Sequence, residues 1–135
     1  NDGAITVAAG GLAAFVAPHV VNNGSIRANF GKVVLASGAN RATVDLYGDK
    51  LVELALDEAA SKAVIANEGL IQANGGTVDL TVAAAQDVVD SVINLGGVVE
   101  ANAIDTTGGK IVLKAQNADV VVTGQVSAKG GTADG

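Results

Sequence analysis

Apolar and polar residues alternate along this chain in short bursts, and the bursts are punctuated by glycine. GLIQANGGTVDL (69–80) is the clearest case: a glycine, an alternating run, Asn-Gly-Gly, then alternation again. Nearly the same phrase stands at GSIRANFGKVVL (24–35), at GVVEANAIDTTGGKIVL (97–113) and, in part, at GQVSAKGG (124–131). Alternation of period two predicts short strands, and Gly or Asn-Gly at fixed places predicts tight corners between them.

Aligning Gly24, Gly69, Gly97 and Gly124 exposes a frame. Val20, Ile65, Ile93 and Val120 stand four residues before it; Ile26, Ile71, Val99 and Val126 stand two after; Ala28, Ala73, Ala101 and Ala128 stand four after. A second glycine follows at Gly31, Gly76, Gly109 and Gly131, leading in the first three copies to Val33 and Leu35, Val78 and Leu80, and Ile111 and Leu113. The chain start fits more loosely, with Gly3, Ile5, Val7, Gly10 and Leu12, and AIDTT lengthens the corner between Ala101 and Gly109. Gly24 and Gly69 are 45 residues apart, against 28 from Gly69 to Gly97, so the long interval reads as two turns. The middle turn is the degenerate ATVDLYGDKLVELALD (42–57).

A unit of 20 to 30 residues is too small to bury its own apolar face, but stacked units share one interior column. The expected fold is therefore all-β: a right-handed parallel β-helix of about five to six coils, on the order of 25 Å long at the usual strand spacing. The aligned glycines are expected to supply corners with positive φ. The interior ladder is expected to hold Ile26, Ala28, Val33, Leu35, Ile71, Ala73, Val78, Leu80, Val99, Ala101, Ile111, Leu113, Val126 and Ala128. Arg27, Gln72, Glu100 and Ser127 then stack on the outside. Two stretches break the alternation, AAAQDVVDSVIN (83–94) and, more weakly, DEAASKAVIA (57–66). Their three- and four-residue apolar spacing predicts short helical turns at corners.

Composition fits a narrow interior. Of 135 residues, 49% are apolar, yet Phe15, Phe30 and Tyr47 are the only aromatics, and Cys, Met and Trp are absent. Small and β-branched side chains suit closely spaced strands. The net charge of −6 carries no basic run, which argues against nucleic acid as a partner.

Several of these runs resemble a known family. GGLAAFVAPHVVNNGSIRANFGKVVLASG (10–38) looks like a segment of the filamentous haemagglutinin family, large bacterial exoproteins exported by two-partner secretion. GDKLVELALD, NEGLIQANGGTVDLTVAAAQDVVDSVINLGGVVEA and GGKIVL are similar to the continuation of that family's haemagglutination-activity domain. The resemblance covers at least residues 3–128. It implies a right-handed β-helix, a secreted or outer-surface location in a Gram-negative bacterium, an adhesive role toward a host or neighbouring-cell receptor or glycan, and an outer-membrane transporter during export of the full-length protein. The family's Asn-Pro-type transporter motif is not matched, since Asn22-Asn23-Gly24 lacks its proline, and no secretion-signal residue is carried over.

Candidate chemistry is sparse. His19 is the only histidine and there is no cysteine to join it in a metal site, so it reads as a corner residue beside Pro18. Asp45, Asp49, Glu53, Asp57 and Glu58 form the densest acidic stretch, without calcium-loop spacing, and read as solvated charges. No glycine run matches a nucleotide-binding loop; Gly109-Lys110 is followed by Ile111. Carbohydrate-active β-helices need converging carboxylates, and here Asp79 and Asp105 stand alone in their frames. The chain is thus expected to be no enzyme, with no cofactor or metal. One β-helix segment over 1–135, part of a larger exoprotein and frayed over 129–135, is the expected organisation. The alternatives are a filament subunit that stacks end to end through exposed end coils, and a carbohydrate-active enzyme or lectin.

Overall fold

In the computed structural model, which describes residues 1–38, 41–44, 52–55, 64–83, 93–104, 107–116 and 119–130, the chain coils as a parallel β-helix. Three sheets form its walls. Sheet A stacks β1 (Ala4–Thr6), β4 (Ser25–Arg27), β9 (Leu70–Gln72), β12 (Val98–Glu100) and β15 (Gln125–Ser127) in that order. Sheet B stacks β2 (Leu12–Val16), β5 (Lys32–Gly38), β10 (Thr77–Ala83) and β13 (Lys110–Gln116). Sheet C stacks β3 (His19–Asn22), β8 (Val64–Asn67), β11 (Ile93–Leu95) and β14 (Val120–Val122). Every neighbouring pair within these sheets is parallel.

The register follows the frame written in the sequence. Ile5, Ile26, Ile71, Val99 and Val126 pair in turn along sheet A. Ala13, Val33, Val78 and Ile111 do so along sheet B, and Val20, Ile65, Ile93 and Val120 along sheet C. Ile26, Ala28, Val33, Leu35, Ile71, Ala73, Val78, Leu80, Val99 and Ala101 are buried in a single apolar cluster. Burying each of the larger ones stabilises the fold by roughly 1.5–3 kcal/mol, and no single coil could achieve it alone.

The ladder loosens at its last coil. Val126 is 38% exposed although Val99, its partner one coil back, is fully buried, and Ala128 is exposed. Ile111 and Leu113 are partly buried. The frame places Val126 and Ala128 inside, and the structure leaves both exposed. Ser127 departs the other way. It was placed outside, and it is buried because its hydroxyl turns back to donate to Asn102 Oδ1 at 2.7 Å.

The aligned glycines answer to space rather than to conformation. Among the described residues only Gly10, Gly75 and Phe30 have positive φ; Gly24, Gly31, Gly69, Gly76, Gly97, Gly109 and Gly124 do not, and Gly131 lies outside the described residues. In sheet A the carbonyl of each glycine accepts the amide of the next coil: Ser25 N on Gly3 O at 2.9 Å, Leu70 N on Gly24 O at 2.9 Å, Val98 N on Gly69 O at 2.8 Å, Gln125 N on Gly97 O at 2.9 Å. The next glycine lies directly over that same oxygen, and a Cβ there would overlap it. A second column, Gly11, Gly31 and Gly76, repeats the arrangement where sheet B begins. Gly109 differs in detail: a Cβ there would strike the carbonyl of Ala101, across the lengthened corner.

The long interval holds one coil, not two. Ser25, Ile26 and Arg27 pair directly with Leu70, Ile71 and Gln72, so a single turn of the helix separates them. Within it β6 (Arg41–Val44) and β7 (Val52–Ala55) pair antiparallel. Alternation alone does not distinguish such a hairpin from a coil. β6 lies beside β5, where Val34 and Ala36 are buried although they alternate with the core-facing Val33 and Leu35. Among the described residues there is no helix. The ends of the two stretches expected to be helical are strand instead: 64–66 belongs to β8, Ala83 to β10 and Ile93–Asn94 to β11. The remainder of both stretches lies outside the described residues.

Replacing Gly69 or Gly97 by Ala should lower the unfolding free energy by about 1–3 kcal/mol or more, as overpacking does. Gly108→Ala, where a Cβ meets nothing within 4 Å, should stay within about 0.5 kcal/mol of the parent. Urea unfolding midpoints of the three variants test the contrast.

Candidate functional site

Two columns of asparagine run along the axis, each at a fixed place in the frame. The first holds Asn22 and Asn67, two residues before the aligned glycine, both buried on the inner side of sheet C. Asn22 Nδ2 donates to Asn67 Oδ1 at 2.7 Å, and Asn1 Nδ2 donates to Asn22 Oδ1 at 2.8 Å. The spare donor capacity reaches corner carbonyls: Asn22 to Gly24 O at 3.4 Å and Leu70 O at 3.3 Å, Asn67 to Gly69 O at 3.1 Å and Val98 O at 3.3 Å. Leu95 takes the same register position in the next coil and ends the ladder. Among the described residues no buried side-chain nitrogen or oxygen lacks a partner, so this polar column carries no orphan penalty.

The second column is Asn29, Asn74 and Asn102, five residues after the aligned glycine. Here each Oδ1 accepts a backbone amide from the coil that follows: Asn74 N at 3.2 Å, Asn102 N at 2.8 Å and Lys129 N at 2.9 Å. Both columns were missed in the sequence, where asparagine beside glycine reads as an ordinary turn residue. The signal was its recurrence at Gly−2 and Gly+5.

Next to the second column lies a corner in the left-handed region. Gly10 has φ 78°, Gly75 has φ 69°, and between them Phe30 has φ 57°. Their amides donate to Asn29 O at 3.1 Å, Asn102 O at 2.7 Å and Asn74 O at 2.8 Å respectively, which places the three at one station of successive coils. A bulky residue there costs roughly 1–2 kcal/mol. Phe30 is 47% exposed, and its ring fills the space that a Cβ on Gly75 would need.

On the outer face of sheet A, Thr6, Arg27, Gln72, Glu100 and Ser127 share one register column. Gln72 Nε2 donates to Glu100 Oε2 at 3.0 Å, and Arg27 Nη1 to Ser25 Oγ at 3.1 Å. Asp79, weighed as a catalytic carboxylate, accepts from Thr81 Oγ1 at 2.8 Å; Asp105 and the acidic stretch Asp45, Asp49, Glu53, Asp57 and Glu58 fall where no side chain is described. Among the described residues no three His, Cys, Asp or Glu gather as metal ligands. His19 is exposed at the start of β3 and lines an open hollow of about 340 Å³ with Phe15, Val16, Val20 and Val21. Pro18 holds that corner through its carbonyl, which accepts Ser37 Oγ at 2.6 Å and Val64 N at 3.1 Å.

The connections from sheet B to sheet C differ most between coils. They span 17–18 in the first coil, 39–63 in the second, 84–92 in the third and 117–119 in the fourth. Both long connections leave from the same corner of adjacent coils. In repeat architectures such insertions gather on the face that meets partners.

No family model matches the chain, and no solved structure matches it at a significant level. Among curated proteins it is similar to two heme/hemopexin-binding proteins of Haemophilus influenzae. One is 32% identical over 89 residues, covering 66% of this chain and 9% of that protein. The other, from strain Rd, is 37% identical over 112 residues, covering 82% of this chain and 12% of that protein. The chain spans about a tenth of the length of the curated relatives it matches.

Two measurements address these columns. Asn67→Ala should cost about 1–3 kcal/mol in urea unfolding, because it strands the bonds of Asn22 and two corner carbonyls. Asn67→Leu, which copies the next coil, should cost less. Gly75→Ala should lose about 1–3 kcal/mol through the clash with Phe30. Combining it with Phe30→Gly should recover part of that loss, and a double-mutant cycle reads the coupling.

Proposed function

We propose that these residues form a rod segment of a secreted or surface-exposed haemagglutinin-like exoprotein of the two-partner secretion type, from a Gram-negative bacterium. Its work is structural and adhesive, not catalytic. The observation that carries this reading is the unbroken axial register: five strands of sheet A stacked in parallel, the middle three over one buried apolar column, with the longest connections all following sheet B strands. The rod supplies stiffness, and the corner between sheets B and C presents side chains to a partner. That partner is host-derived: a cell-surface receptor or glycan, or, as the relatives' names suggest, haem or hemopexin. An outer-membrane transporter handles the full-length protein during export.

A filament of stacked copies is the alternative. An enzyme or lectin is disfavoured by the scattered carboxylates and the scarcity of aromatics.

An antibody against this segment tests the reading on the native source. The expected result is an antigen in the culture medium or on intact cells, carried by a polypeptide many times longer than these 135 residues. An antigen confined to the cell interior would overturn it, as would turnover of a polysaccharide that Asp79→Asn abolishes.

A further inference from the structure

Asn74 and Gly75 spell Asn-Gly, a pair in which the asparagine side chain lies open to attack by the backbone nitrogen that follows it, because glycine sets no Cβ beside that nitrogen. At the same station the adjacent coils carry Asn29-Phe30 and Asn102-Ala103, where a Cβ does stand in the way. The structure holds every atom the attack would have to move. Phe30 N donates to Asn74 O at 2.8 Å from the second coil, and Gly75 N donates to Asn102 O at 2.7 Å in the fourth. The Asn74–Gly75 peptide unit is thus pinned on both sides and cannot turn its nitrogen toward Asn74 Cγ. The carboxamide is pinned as well, since Asn74 Oδ1 accepts Asn102 N at 2.8 Å. Gly75 is buried, and the Phe30 ring covers it. Both restraints from above come from the one residue Asn102, so lifting the fourth coil releases nitrogen and carboxamide together.

We propose that Asn74-Gly75 is a latent deamidation site, silent while the fourth coil lies on the third and reactive once it lifts. Gly75 N then attacks Asn74 Cγ. The new N–Cγ bond closes a five-membered imide as the Cγ–Nδ2 bond breaks, and the proton of Gly75 N passes through solvent to Nδ2, which leaves as ammonia. Water opens the imide at either carbonyl and gives aspartate or isoaspartate; no other reactant takes part. The isoaspartate branch adds a methylene to the main chain just before Gly76. That glycine must lie over Gly31 O and offer its own carbonyl to Lys110 N at 2.9 Å. The altered coil therefore cannot regain its register, and the opening is recorded in the covalent chain. This goes beyond the adhesive reading and rests on the stacking of the coils alone.

The test follows the peptide containing Asn74 by mass spectrometry while the full native polypeptide stands in buffer and in denaturing urea at one pH and temperature. Deamidation at Asn74 should be about a hundredfold slower in buffer, as a coil open about 1% of the time gives. Gly97→Ala crowds the carbonyl of Gly69, where the fourth coil rests on the third. It should raise the rate in buffer by about 5- to 150-fold. Urea below the unfolding midpoint should raise the rate in the parent, which keeps the test open where the variant does not fold. Equal rates in buffer and in denaturing urea would overturn the proposal, as would a rate in buffer that neither Gly97→Ala nor dilute urea changes.

Discussion

The axial hydrogen bond between a glycine carbonyl and the amide one coil above governs the rest of this structure. Coils are held at the strand spacing of about 4.8 Å, and at the corner the upper backbone passes directly over the lower carbonyl. Gly24, Gly69, Gly97 and Gly124 stand there because the oxygen occupies the place a Cβ would take. Once the corners are fixed, the alternation between them decides what faces in. Ile26, Ile71 and Val99 then fall on one line, and the core follows from the corners rather than the reverse.

That dependence explains how much was legible. The glycine frame is a statement about register, and register is what it delivered: the aligned isoleucines and valines do pair. It says nothing of why glycine is needed. A left-handed corner and a crowded corner exclude Cβ alike, and only geometry separates them. The left-handed station lies elsewhere, at Gly10, Phe30 and Gly75, where Phe30 in the middle hides it from a search for recurring glycine. The hairpin of β6 and β7 was mistaken for a coil because alternation marks a half-covered strand in any sheet. Val126 and Ala128 satisfy the frame yet lie exposed, because the frame encodes register and not how completely a position is covered.

The asparagine columns perform a task that apolar packing cannot. A column of Ile, Val and Leu tolerates a slip along the strand if volumes are similar. Asn22 on Asn67 does not, because a one-residue slip would turn a buried amide outward and strand its partner. Asn29, Asn74 and Asn102 fix the opposite corner of sheet A by accepting one specific amide each. Their position beside the glycine columns puts the register devices where the chain turns, which is where a slip would begin.

On the outer face of sheet A, Gln72 donates to Glu100 across one coil and Arg27 donates to Ser25 within its own strand. What varies most from coil to coil is the connection between sheets B and C, and to a lesser degree that between sheets A and B at 101–109. Insertions there cost only loop-closure entropy, which grows slowly with length, and they leave the glycine and asparagine columns untouched. The second coil shows the consequence: 45 residues separate Gly24 from Gly69, yet the two remain directly stacked. Length can change at such corners, between sheets B and C and at 101–109 between sheets A and B, because the pairing above and below them is unbroken.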